Sequence, residues 1–94
     1  MADLETLRRE IDSIDDLLLA QLGRRFEVVR RVAAYKREHG IPAILPERIE
    51  AVKSRCAGLA AKHGLDDAFV RALYDLIIKA ACRLEDKIIQ NDAA

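Results

Sequence analysis

Three cations in the first helical stretch of the chain, Arg8, Arg25 and Lys36, could do chemistry. Leu4, Leu7, Ile11, Ile14 and Leu18 recur at alternating steps of three and four, the pattern of a helix laid against other helices. The seam continues through Gln21, Arg25, Val28, Val32 and Tyr35, so a permanent cation, Arg25, stands where a Leu belongs. An unpaired buried guanidinium is costly, so the chain must offer it an anion. That anion is either an internal carboxylate, such as Glu27 or Asp86, or a ligand. Lys36 lies on the same face three turns later, about 16 Å along the axis. Two long side chains leaning together across that gap leave room for one small dianion. Arg8, beside Leu7, is about 25 Å from Arg25 along the same helix. It reaches the same pocket only if the helix pairs with a second copy running antiparallel.

The elements that must position these residues are all helical. Asp3 is a plausible N-cap for a first helix running to about Glu38, and Gly40 terminates it. Gly23 costs about 1 kcal/mol relative to Ala inside that helix, which predicts a close approach by another backbone. The apolar loop Ile41-Pro42-Ala43-Ile44-Leu45 suggests a lid. Pro46 suits the first turn of a second helix, whose seam is Ile49, Val52, Cys56, Leu59 and His63, stopped by Gly64. Asp66 caps a third helix, with Leu65 and Val70 spaced as a hydrophobic staple. Its seam reads Val70, Leu73, Ile77, Ala80, Leu84 and Ile88, fraying near Asn91. The expectation is an all-α fold of three helices, roughly 35, 17 and 24 residues long. The first is too long to bury its seam against the other two, so an intertwined helical homodimer is expected. Pairing would bring Arg8 of one chain near Arg25 and Lys36 of the other.

Composition narrows the partners. The chain has 94 residues, 51% of them apolar, which predicts one domain over residues 1–94 that oligomerisation would help to stabilise. Lys plus Arg equal Asp plus Glu, at 16 each, and Trp is absent, so neither a basic footprint nor a stacking platform points to nucleic acid. No run approaches membrane-spanning length, and Met1-Ala2-Asp3-Leu4 lacks the basic and apolar regions of a signal peptide. A cytoplasmic protein is expected. Cys56 and Cys82 read as free thiols in a reducing compartment. His39 and His63 have no partners at metal-ligand spacing, so no metal site is assigned.

The stretch from Leu7 to Asp15, then Arg24-Arg25, Lys36 and Pro46-Glu47-Arg48, resembles the all-helical chorismate mutases. Gly64-Leu65-Asp66 and Leu76-Ile77-Ile78 extend the resemblance over nearly the whole chain. It implies intertwined dimers with two composite sites and no cofactor. In each site the residue matching Arg8 comes from the partner chain, and those matching Arg25, Lys36 and Arg48 from the other. The substrate would be a compact dicarboxylate, chorismate, rearranged to prephenate without nucleophile or metal. The protein holds the reactive conformer and stabilises charge developing on the breaking ether. Arg8 and Arg25 would grip carboxylates by bidentate contacts, and Lys36 would face the ether oxygen. Without the resemblance, Arg48 reads as a solvated helix-start residue, although cations are slightly unfavourable there.

Three positions depart from the family pattern. Glu85 matches a Gln that donates to the ether oxygen in many mutases; some members use Glu. To donate, Glu85 must be protonated, which burial favours and nearby cations oppose. Alternatively it pairs with Lys87 at the surface. Leu45 and Ile49 replace acidic residues that flank the second-helix Arg near the substrate hydroxyl. Ala81 replaces a small polar residue. The apolar flanks also resemble the related isochorismate pyruvate lyases, which make salicylate and pyruvate and carry apolar residues there, although Glu85 does not match the Gln of that group. A third possibility is a catalytically silent helical dimerisation or regulatory module. That would explain the seams but not the cation within one. The residues do not choose between chorismate, isochorismate and an amino analogue.

Overall fold

The computed structural model describes residues 3–91. Met1, Ala2 and residues 92–94, which the single-domain expectation included, lie outside the described residues. Three α-helices follow in order: α1 Leu4–His39, α2 Pro46–Leu59 and α3 Asp67–Asn91. No strand occurs among the described residues. The molecule measures 59 × 27 × 14 Å, and α3 packs against both α1 and α2. None of these helices is long and apolar enough to cross a membrane.

The helix ends follow the capping residues. The Thr6 amide donates to Asp3 Oδ1 at 2.8 Å, and the Phe69 amide to Asp66 Oδ2 at 2.9 Å. Each satisfies a backbone donor left free in a first turn. Gly40 and Gly64 adopt left-handed conformations with φ of 66° and 67°, where a Cβ would be strained. Their neighbours Ile41 and Leu65 donate back to the carbonyls of Lys36 and Ala60, closing the chain reversal at each C-terminus. The second helix is shorter than its seam predicts. It ends at Leu59 and tightens into a single 3₁₀ turn, Ala61–His63. The amides of Ala60 and His63 bond three residues back, to Ala57 and Ala60. That tightening rotates Leu59 and His63 out of the core, and both are exposed.

On α2 the predicted seam residues Val52 and Cys56 are buried, whereas the buried faces of α1 and α3 differ from the predicted seams. On α3 the buried positions are Val70, Ile78, Ala81 and Glu85, one residue round from Ile77, Ala80 and Leu84. Helix α3 is apolar on two sides, and its periodicity alone does not say which side packs on α2. The core joins Val52, Cys56 and Ala60 of α2 to Val70 and Ile78, with Ile49, Tyr74 and Cys82 packed against it. On α1 only Ala33 is fully buried, and beyond Thr6 the half-buried residues all lie from Leu22 to Arg37. The predicted seam points elsewhere within the single chain: Leu7, Ile11, Ile14 and Leu18 are 45%, 57%, 56% and 61% exposed. Gly23 meets no other backbone within the chain, since the position of an added Cβ is open.

Candidate active site

The C-terminal half of α1, the loop 41–45, the start of α2 and the C-terminal half of α3 surround a cavity of about 420 Å³. Helix α1 contributes Arg25 and Lys36, α2 contributes Arg48, and α3 contributes Glu85. The loop adds Ala43 and Leu45, and Ile49 follows on α2. Periodicity explains the α3 wall, because Ile78, Cys82 and Glu85 are spaced at four and three and share a face. The apolar loop is fixed to the site: Ala43 is buried, and its carbonyl accepts a hydrogen bond from Lys36 Nζ at 2.9 Å.

Glu85 is the one buried charged residue among the described residues, 7% exposed. Lys36 Nζ lies 2.7 Å from its Oε1. The approach is off the line of a hydrogen bond, and Oε1 has no hydrogen-bond partner among the described residues. The carboxylate is therefore balanced in charge but incompletely satisfied in hydrogen bonding, an expensive arrangement in a buried site. A proton of its own, or a ligand group, would relieve it. The contact also replaces the expected alternative of a surface pair with Lys87.

Arg25 has no salt-bridge partner among the described residues, so neither Glu27 nor Asp86 meets it. Its guanidinium instead lies over the ring of Tyr74, 5.8 Å from the centroid. Counting formal charges around the cavity, Arg25, Lys36 and Arg48 stand against Glu85 alone. Two positive charges remain unmatched while Glu85 is ionised, and three when it is protonated, an excess that suits a dicarboxylate. Apolar side chains dominate the remaining wall and lower the local dielectric, which strengthens those charges. Arg8 is exposed on α1 and is not part of the cavity wall.

Three contributors escaped the sequence reading. The Ala43 carbonyl has no side-chain signature. Tyr74 was hidden by the choice of the neighbouring α3 face. Cys82, a free thiol, lies in the wall. Burial pushes its thiol pKa up, Glu85 adds to the rise, and Lys36 opposes it. Among the described residues no group of three His, Cys, Asp or Glu side chains is placed to hold a metal ion.

A family model described as chorismate mutase type II matches residues 7–86, a span that includes Arg8, Arg25, Lys36, Arg48 and Glu85. The chain is 43% identical over 91 residues to a 4-amino-4-deoxychorismate mutase of Streptomyces venezuelae, covering 97% of this chain and 88% of the relative. It is 40% identical over 76 residues to an isochorismate pyruvate lyase of Pseudomonas aeruginosa, covering 80% and 73%. It is 26% identical over 88 residues to a chorismate mutase of Methanocaldococcus jannaschii, covering 94% and 89%.

Proposed function

The chain belongs to the chorismate mutase type II family and is an isomerase, and from that premise we propose that it rearranges chorismate to prephenate as a cytoplasmic homodimer. The carrying observation is the convergence of Arg25, Lys36, Arg48 and Glu85 on one cavity with an excess of positive charge. In the rearrangement the ether C–O bond breaks as a C–C bond forms, and the electrons move round a six-membered ring with no net proton transfer. The protein's work is positioning and electrostatics. Arg25, with Arg8 of the partner chain, holds the carboxylates and selects the folded conformer, and Arg48 adds a further substrate-binding cation. Lys36 turns from Glu85 toward the ether oxygen, where negative charge grows. Protonated Glu85 donates to the same oxygen.

Arg8 completes the site from the partner chain. The reading is supported by its distance from the cavity and by the exposed apolar stripe around it, Leu7, Ile11, Ile14 and Leu18. A second α1 laid along that stripe would cover it and add a further unmatched cation.

A second reading, favoured by the named activity of the Streptomyces relative, is that the substrate is 4-amino-4-deoxychorismate and the same rearrangement proceeds. Leu45 and Ile49 line the cavity on either side of Arg48, which also keeps the lyase reaction in view, although Glu85 speaks for a mutase. The test is turnover of chorismate, 4-amino-4-deoxychorismate and isochorismate in turn, with products identified by mass and absorbance. Rearranged product from either of the first two is expected. Salicylate alone would replace the mutase reading with the lyase, and no turnover of any would leave a silent dimerisation module.

A further inference from the structure

Arg25 is held in an unusual way for a cation in a partly apolar wall. No carboxylate among the described residues touches it, and its neighbour is the face of Tyr74. Tyr74 does not line the cavity. It packs against the α2–α3 core beside Cys56 and Ile78, so its ring connects the rigid part of the fold to the guanidinium. We infer that Tyr74 is a positioning residue, which orients Arg25 for the substrate carboxylate through its ring face. This rests on the proposed reading of Arg25 as a carboxylate grip.

The chemistry favours a ring over an acid at this place. A carboxylate partner would steady Arg25 but would also occupy its N–H donors and cancel its charge, competing with the substrate. An aromatic face attracts the cation through its quadrupole at distances up to about 6 Å. It leaves the edge of the guanidinium, which makes bidentate contacts, free for the ligand. Burial and then Cys56 push the Tyr74 phenol pKa up, so the hydroxyl stays neutral and the ring does not become a competing anion. A cation–π contact at a partly desolvated site corresponds to about a three- to fivefold change in an equilibrium constant.

The test is a double-mutant cycle on steady-state turnover with Tyr74→Leu, Tyr74→Phe, Arg25→Ala and the pair Tyr74→Leu/Arg25→Ala. Tyr74→Leu should raise KM about three- to fivefold with kcat changed less. Tyr74→Phe, which keeps the ring, should retain the wild-type KM. In the Arg25→Ala background the Tyr74→Leu effect should vanish. An undiminished effect in that background, or equal losses for Phe and Leu, would overturn the inference. Wild-type kinetics for Arg25→Ala would instead overturn the reading of Arg25 on which it rests. If Tyr74→Leu fails to fold, Tyr74→Met takes its place in the cycle. The contact has its own readout: the Arg25 side-chain protons should show a ring-current shift in the wild type and in Tyr74→Phe. Lack of that shift in the wild type would also overturn the inference.

Discussion

Lys36 Nζ stands 2.7 Å from Glu85 Oε1 while it donates to the Ala43 carbonyl at 2.9 Å. One ammonium thus connects α1, the loop and α3. A hydrogen bond from Glu85 to the ether oxygen needs the protonated carboxyl, so a Glu85 donor requires that kcat fall with rising pH. Glu85→Gln donates at any pH and should flatten that limb and raise activity at neutral pH. Paired pH–rate profiles at saturating substrate, with circular dichroism at each pH, check this. Superimposable profiles would make Glu85 structural.

Arg25 separates function from stability. It has no ion pair among the described residues, so its removal leaves no stranded carboxylate. Arg25→Ala should lower kcat/KM at least a hundredfold, about 3 kcal/mol of transition-state stabilisation, with the melting temperature nearly kept. A loss of only a fewfold would take Arg25 out of the site.

The faces of α2 and α3 are joined at their solvent edge by ion pairs. Asp75 meets Lys53 at 3.1 Å and Lys79 at 2.9 Å, and Glu50 meets Arg71. Hydrogen bonding from Lys79, then Lys53, lowers the Asp75 pKa, and Arg71 does the same for Glu50. Because the folded pKa values are depressed, the stabilisation is present above the unfolded carboxyl range, about 3.9–4.3. It is lost as pH falls through the lower folded values. Glu50 is exposed and Asp75 only half-buried, so the effect is small and screened by salt. Asp75→Asn should lower the melting temperature slightly at pH 7 and not at all near pH 2. An equal deficit at both pH values would contradict this.

The helices were legible, and except for the early end of α2 at Leu59 so were their ends, because Asp3, Gly40, Gly64 and Asp66 carry their roles in their side chains or in the lack of one. Arg25 and Lys36 were legible as cations on one helix face. The packed face of α2, Ile49, Val52 and Cys56, was legible too, but those of α1 and α3 were not. Helix α3 has apolar residues on two sides, and only its contact with α2 selects Ile78 and Ala81 over Ile77 and Ala80. Glu85 was accessible only through the family resemblance. The stripe Val70, Tyr74, Ile78, Ala81 carries the signal for it, because a carboxyl that extends a buried stripe requires a cation, and Lys36 provides one. The pairing of Lys36 with a backbone carbonyl leaves no trace in any sequence.

Cys82 offers a probe of occupancy. Burial, then Glu85, raises its pKa, so little reactive thiolate exists at neutral pH. Alkylation by iodoacetamide should be slow at pH 7 and accelerate with pH. A bound dicarboxylate transition-state mimic should slow it further, because Cys82 lines the cavity. Unchanged alkylation at saturating mimic would place the ligand elsewhere. Cys82→Ser, with Cys56 retained, assigns the modified thiol.

The composite site is tested most directly by mixing two inactive variants. In a heterodimer of Arg8→Ala with Lys36→Ala, one site carries both lesions and the other carries neither, provided Arg8 crosses between chains. Each homodimer should be inactive, and the purified heterodimer should recover about half of the wild-type activity, as the single intact site requires. No recovery in heterodimers verified by mass would contradict a site shared between two chains.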